Sequence, residues 1–259
     1  MPVAHTAGTD VHYTITGTGP GLVLVSGTSL DAATNYGHLV PHFAHDRTVI
    51  TPDYAGSGET TAPDGDLTLD LLADQVTAAA REALPGPVDL VGFSLGAVVA
   101  ASIAARHPDL VRRLVLIAGW THSNDPRLRL GLQTWADAID TAPELATAVA
   151  PLIAFSPPFL SGLGPDGLTE LRAGTPAPGT RRQLDLDLRI DIRHHLPDIT
   201  APTLVIGATL DHLVPVDHAR ALHKAINGSR YTEIHSGHVV VFEKPLELVT
   251  VIRDFLDAR

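Results

Sequence analysis

The chain has no cysteine among its 259 residues. Disulfides, cysteine-ligated zinc and a thiol nucleophile are therefore excluded. No run approaches the roughly 18 apolar residues that would cross a membrane. Met1 to Gly19 lacks the basic stretch and apolar core of a signal peptide, so a soluble cytoplasmic protein is the expectation. Basic residues are few: 18 Lys and Arg stand against 29 Asp and Glu, a net charge of -11 with His neutral. That balance argues against nucleic acid and anionic membranes as partners. There is no compact cluster of metal ligands, and no cofactor is expected. Repeats, coiled-coil heptads and low-complexity tails are also missing.

What is present is globular. The hydrophobic share is 44% and the charged share 18%, enough for one large domain or one domain carrying an insertion. The most informative stretch is Asp89-Leu90-Val91-Gly92-Phe93-Ser94-Leu95-Gly96-Ala97-Val98. A short apolar run suited to a buried strand leads into G-x-S-x-G, and an Ala-rich helix former follows to about Arg106. Glycines two residues either side of Ser94 let a strand turn sharply into a helix. Such a turn lifts the hydroxyl to the sheet edge and sets it at a helix N-terminus, where developing negative charge is favoured. G-x-S-x-G also occurs by chance, and here its strand and helix context is what gives it weight.

The rest of the chain supplies an alternation. Val11 to Thr16, Leu22 to Val25, Arg47 to Thr51, Val88 to Val91 and Leu114 to Ala118 read as strands. Asn35 to Phe43, Leu67 to Leu84 and the stretch after Ser94 read as helices. This tempo predicts an α/β fold with a mainly parallel sheet. From Trp120 to about Leu196 no convincing strand occurs. Helical patterns cover Leu128 to Ile139, Glu144 to Phe155, Asp166 to Ala173 and Arg181 to His194. The expected organisation is a core of residues 1–119 and 197–259 interrupted by a helical insertion of residues 120–196. Its aromatics Trp120, Trp135, Phe155 and Phe159 are candidates for a pocket roof, or for ordinary packing of small helices. The sheet resumes at Thr203 to Ile206, followed by a helix from Asp217 to Ile226, a strand from Arg230 to Ile234 and a helix from Pro245 to Leu256.

Open parallel sheets bind ligands beyond the carboxyl ends of their strands. Ser94, Asp211 and His238 each follow a predicted strand, so they are expected to converge. A hydroxyl needs a base beside it, and the imidazole needs a carboxylate to fix its tautomer and stabilise its cation. His235 and Asp125 are the nearest rivals for the base and the acid. Asp53, in a turn-rich loop, is read as a holder of backbone N–H groups. His194-His195 with Asp191 reads as a helical surface charge run, and His107 as a helix-terminal residue.

The chain resembles the α/β-hydrolase fold superfamily, in particular its small capped single-domain esterases and lactonases. The resemblance rests on Gly92-Phe93-Ser94-Leu95-Gly96, Asp53-Tyr54-Ala55-Gly56-Ser57-Gly58, Gly207-Ala208-Thr209-Leu210-Asp211-His212-Leu213-Val214-Pro215 and Ser236-Gly237-His238. It covers about Val11 to Phe255. It implies a mainly parallel sheet flanked by helices, with the insertion as a cap. It implies Ser94 as nucleophile, His238 as base and then acid, Asp211 as its orienting partner, and an oxyanion hole from the backbone N–H groups of Leu95 and Thr28. The chain departs from the pattern in two places: Ser26-Gly27 replaces the usual His-Gly, and Ala55 an often-found arginine. Ser26 is therefore a further candidate pocket residue, bracing its loop differently or meeting the substrate. The expected activity is hydrolysis of a small to medium, largely apolar ester or lactone. Thioester or carbon–carbon bond cleavage, cyclisation of an acyl or polyketide intermediate, and non-catalytic binding of a small molecule are the alternatives.

Overall fold

The apolar runs form the strands of one sheet in a computed structural model that describes residues 1–6, 8–173 and 175–258. The strands are β1 (Val3–Thr6), β2 (Thr9–Thr16), β3 (Gly21–Val25), β4 (Thr48–Pro52), β5 (Val88–Phe93), β6 (Val111–Ile117), β7 (Thr203–Ala208) and β8 (Arg230–Ile234). Their order across the sheet is β1-β2-β4-β3-β5-β6-β7-β8. β1 and β2 form an antiparallel hairpin, and β2 pairs antiparallel with β4. From β4 to β8 every neighbouring pair is parallel.

The period of two assigns side chains to the two faces. In β3, Val23 and Val25 join one core, while Leu22 and Leu24 join the other; Leu90 and Val91 of β5 divide the same way. A sheet buried on both faces needs helices on both. Before the insertion these are α1 (Ala32–Tyr36), α2 (Pro41–Ala44), α3 (Leu69–Ala83) and α4 (Leu95–Arg106). α3 starts where the Thr68 hydroxyl accepts the Leu71 N–H at 3.1 Å, and it buries Leu72, Val76, Ala79 and Ala80. α4 is buried almost all round, from Leu95 to Ala104. Its alanines let it sit close to the sheet and to α3, which it also contacts.

Between β6 and β7 lie α5 (Pro126–Thr141), α6 (Pro143–Ala154), α7 (Pro157–Gly162), α8 (Gly164–Arg172) and α9 (Thr180–Asp187). α10 (Asp217–Ala225), α11 (Val240–Glu243) and α12 (Pro245–Leu256) complete the chain. α3, α4 and α10 cover one face of the sheet; Tyr36, Phe43, Leu248 and Ile252 cover the other from α1, α2 and α12. No helix among the described residues is long and apolar enough to cross a membrane.

The structure differs from the sequence reading in several elements, among them the short helix α11, which was not anticipated. β1 was not anticipated, because four residues of mixed polarity carry no period. The helix expected over Asn35 to Phe43 is two short ones: the first ends at Tyr36 with Gly37 as its C-cap, and Pro41 opens the second. α7 was hidden by its prolines, yet Ser156 caps it, its hydroxyl accepting the Phe159 N–H at 3.3 Å, with prolines in the first turn. The helix expected over Arg181 to His194 stops at Asp187. Beyond it the chain pairs with the segment after β6: Ser123 N–H donates to Ile190 O and Ile192 N–H to Thr121 O, both at 2.9 Å. His194 and His195 therefore lie in a turn, rings 4.0 Å apart, and not on a helix.

A buried ion cluster fixes the edge of the sheet remote from Ser94. Asp89 is fully buried and accepts from Arg47 at 2.8 Å and from Arg112 Nε at 2.8 Å. Arg47 also pairs with Asp257 just after α12, tying the chain end to the sheet. Asp89→Ala strips the buried Arg47 of this partner and is expected to cost about 3 kcal/mol. Arg112→Ala removes a more exposed partner and is expected to cost no more than about 1 kcal/mol. Urea unfolding of the two variants checks the contrast.

Candidate active site

Ser94 stands at the junction of β5 and α4 with φ 57° and ψ -122°, a conformation that side-chain-bearing residues rarely adopt. Holding it costs on the order of 1–3 kcal/mol. The surroundings leave the backbone little alternative. Ser94 N–H donates to Ile117 O at 2.9 Å, and its carbonyl accepts the Ala97 N–H at 2.9 Å. A Cβ on Gly92 would stand 2.1 Å from Gly96 O, and one on Gly96 would stand 2.1 Å from Val25 O. Both glycines of the motif are thus required by the close approach of backbone to backbone.

Parallel register brings the other two groups to the same edge. Phe93 lies beside Ile117, Ile117 beside Ile206, and Ala208 beside Ile234. The loops after β7 and β8 then carry Asp211 and His238 toward Ser94. His238 Nε2 is 2.8 Å from Ser94 Oγ, and its Nδ1 is 2.6 Å from Asp211 Oδ2. Asp211 Oδ1 accepts the Leu213 N–H at 2.9 Å and the Val214 N–H at 2.7 Å, which fixes the carboxylate. All three residues are buried. The rivals are engaged elsewhere. His235 meets Thr209 Oγ1 at 2.9 Å on the surface, and Asp125 caps α5 by accepting the Leu128 N–H at 2.8 Å. His107 ends α4.

Leu95 opens α4, so its N–H belongs to the first turn, whose donors have no partner within the helix. Neither it nor the Thr28 N–H meets an acceptor among the described residues. The loop carrying Thr28 is held close: a Cβ on Gly27 would stand 3.1 Å from Ser94 Cβ. Tyr54 Oη donates to Ser26 O at 2.6 Å, and Asn35 Oδ1 accepts the Gly27 N–H at 3.4 Å. Asp53 holds the same region from below, accepting the Ala32 N–H at 2.8 Å, and burial pushes its carboxyl up.

Ser94 and His238 open on a cavity of about 570 Å³. Trp120, Trp135, Phe155 and Phe159 all line it, as expected for a roof, with Phe155 and Phe159 stacked 4.8 Å apart. Ser26 does not. It is a correction to the sequence reading: its side chain is buried away from the lining, and Thr28, Ser29 and Leu30 are the residues of that segment that reach the wall. Its bracing is done through its carbonyl by Tyr54.

Two sets of contacts escaped the sequence reading. Thr180, Gln183 and Asp187 share one face of α9 and grip the loop after β3. Thr180 Oγ1 donates to Ser29 Oγ at 2.9 Å, Gln183 Oε1 accepts the Ser29 N–H at 2.8 Å, and Thr28 Oγ1 donates to Asp187 Oδ2 at 2.7 Å. The signal was a polar stripe at i, i+3 and i+7 of a predicted helix. The second set is a clamp by Glu243. Its carboxylate accepts the Ser156 N–H and hydroxyl, each at 2.6 Å, and the Gly237 N–H at 3.1 Å. The insertion is thereby fastened to the residue preceding His238.

Asp187 is buried and lines the cavity, and burial pushes its carboxyl from 3.8 up to about 7. The Thr28 hydroxyl opposes that rise only in part. Between those two values the folded chain holds a proton that the unfolded chain has released, so stability falls as pH rises. The contribution of the neutral carboxyl is complete below about pH 4 and is lost as pH passes through 7. Asp187→Asn does not titrate. Its unfolding free energy relative to the wild type is therefore expected to improve between pH 4 and pH 8, by up to about 4 kcal/mol. Urea unfolding at the two pH values tests this.

Comparison with known proteins places this geometry. Residues 22–251 match the model of the alpha/beta hydrolase family. A pyrrolizixenacetamide deacetylase of Xenorhabdus hominickii is 43% identical over 251 residues, 95% of this chain and 94% of that one. A pimeloyl (acyl-carrier protein) methyl ester esterase of Neisseria meningitidis is 30% identical over 199 residues, 73% of this chain and 62% of that one. The crystal structure of an enol-lactonase from Burkholderia xenovorans LB400 aligns with a TM-score of 0.86 at 26% identity, over 99% of this chain and all of that one. With its sheet order, its strand-to-helix serine turn and a family match over most of its length, the chain belongs to the alpha/beta hydrolase family.

Proposed function

We propose that the chain is a serine hydrolase that removes a small to medium acyl group from an apolar amide or ester through an acyl-enzyme on Ser94. The observation that carries this is the continuous line from Asp211 through His238 to Ser94 Oγ, at 2.6 and 2.8 Å, ending in an apolar cavity. In the first half-reaction Ser94 Oγ attacks the scissile carbonyl carbon while His238 Nε2 takes its proton. Asp211 keeps Nδ1 protonated and stabilises the imidazolium. The carbonyl oxygen, now negative, is received by the N–H groups of Leu95 and Thr28. One such donor contributes about 3 kcal/mol to transition-state stabilisation. The tetrahedral centre collapses as His238 passes its proton to the leaving nitrogen or oxygen. Water then attacks the acyl-serine with His238 again as base, giving the carboxylic acid and free Ser94.

The insertion acts as a cap in this reading. Its aromatic side chains hold the apolar part of the substrate and exclude water from the acyl transfer. An amide is the leading substrate because the relative at 43% identity is named for removing an acetyl group from an acetamide. Esters and lactones are the second reading, favoured by the esterase and enol-lactonase likenesses. Both classes pass through the same acyl-enzyme, and the amide asks more of His238 as an acid because its leaving amine must be protonated.

The test is release of p-nitroaniline from p-nitroacetanilide and of p-nitrophenolate from p-nitrophenyl acetate. Wild type is expected to turn over at least one of them. Ser94→Ala is expected to lower kcat/KM by at least about a thousandfold, with no acyl adduct detected by mass spectrometry. Turnover that survives in Ser94→Ala would sink the acyl-enzyme.

A further inference from the structure

The carboxyl of Asp187 is an unexplained group at the site. It belongs to the cavity wall that also holds Ser94 and His238. Its Oδ2 accepts the Thr28 hydroxyl at 2.7 Å, and its Oδ1 has no hydrogen-bond partner among the described residues. Thr28 is the residue next to Gly27, which packs against Ser94. Asp187 thus belongs to the same cavity wall as Ser94 and His238, and it is tied through Thr28 to the loop packed against Ser94. The Thr28 bond ties the insertion to its loop, yet a neutral acceptor would serve there, and burying an acid with one oxygen unpaired costs stability. Buried polar groups that weaken a fold and face a catalytic cavity are candidates for ligand recognition.

The charge of the wall narrows the ligand. Among the described residues, the carboxylate-bearing side chains in it are Asp187 and, at the exposed rim, Glu170, and no lysine or arginine lines it. A wall without a lysine or arginine offers no cation to pair a carboxylate-bearing ligand, and an unpartnered carboxyl oxygen accepts hydrogen-bond donors. The donors of Trp120 and Gln183 that lie nearby are already used: Trp120 Nε1 donates to Ser123 Oγ at 3.0 Å and Gln183 Nε2 to Ser57 Oγ at 2.9 Å. The donor that completes Asp187 is therefore brought by the ligand.

We propose that Asp187 is a specificity-determining residue whose carboxyl accepts a hydrogen bond from an N–H group of the substrate beside the scissile carbonyl, so that the cavity prefers N-acyl to O-acyl compounds of the same shape. This rests on the acyl-hydrolase reading and names its substrate class. An ester oxygen in place of that N–H has no proton to donate and leaves the buried carboxyl unpaired. A site built to bond an N–H rejects the analogue lacking it more strongly than an apolar pocket distinguishes shapes.

The test is binding rather than turnover. In full-length Ser94→Ala, titration calorimetry gives dissociation constants for N-phenylhexanamide and phenyl hexanoate. At about pH 8.5, where the Asp187 carboxyl is ionised, the amide is expected to bind at least about tenfold more tightly, as for one hydrogen bond to a charged group. Adding Asp187→Asn, which turns the acceptor into a donor, is expected to bring that ratio to about one. Asp187→Ala, which removes the group, is the check on it, with circular dichroism showing that each variant is folded. Equal affinity for the two ligands in Ser94→Ala overturns the proposal, as does failure to bind either. So does a ratio that persists when Asp187 is replaced while both affinities weaken, because the residue then only braces the Thr28 loop. A wild type that hydrolyses neither compound would instead overturn the acyl-enzyme reading, and the binding ratio would still be readable.

Discussion

The turn at Ser94 is the constraint on which the site depends. A residue with a side chain is held at φ 57° by a strand on one side and a helix on the other. That strain persists only because the surroundings over-determine it. Gly96 lets α4 begin against the backbone of β3, and Gly92 lets β5 pass under the first turn of α4. Any side chain at either position would push the helix off the sheet. The serine would then lose both its elevation and its place beside the free N–H groups of the helix start. The sheet supplies the rest. Parallel strands in register deliver the loops after β7 and β8 to the same edge, which is why residues 144 positions apart in sequence lie in hydrogen-bonding contact.

Two of the fastenings that hold the insertion to this edge reach the segments around Ser94 and His238. Glu243 joins the turn before α7 to Gly237, next to His238. The polar face of α9 joins the insertion to Ser29 and Thr28. Any movement of the insertion is therefore felt by the loop that carries His238 and by the loop packed against Ser94. Backbone contact reinforces the first point, since Val239 N–H donates to Ala154 O at 3.2 Å.

Legibility in the sequence followed the range of the forces involved. Val23, Val25 and Leu90 announce strands because they stand in short unbroken apolar runs, as suits a sheet buried on both faces, and Leu72, Val76 and Ala79 announce α3 because burial there repeats every three or four residues. Ser94, Asp211 and His238 were placed together by topology alone, since each sits just past a strand of a parallel sheet. What was hidden depends on contacts between distant segments. Nothing local marks Glu243 as the partner of Ser156, or Tyr54 as the brace of Ser26 O. The end of α9 was misplaced for the same reason: residues 188–195 have helical composition, but pairing with the segment at Thr121 and Ser123 offers their backbone better partners. Ser26 was drawn toward the pocket by its place in the motif, where the usual pattern has a histidine, yet it is buried and takes no part in the cavity lining.

The strained serine and the buried acid are two destabilising features set close together, and they bear on each other. Thr28 links them: its loop abuts Ser94 through Gly27, and its hydroxyl is anchored by Asp187. An amide of that geometry could have held the hydroxyl without burying an ionisable group. Retaining a carboxyl whose pKa is driven up to about 7 by burial makes sense where the bound ligand, rather than the fold, completes its hydrogen bonding. A ligand that donates to Oδ1 would relieve the desolvation cost and steady the Thr28 loop in the same event. Binding and the readiness of the oxyanion donor would then be coupled through one side chain, and a substrate without the donor would lose both. That coupling ties selectivity to the reacting centre instead of to the apolar walls, where a methylene more or less changes affinity only modestly.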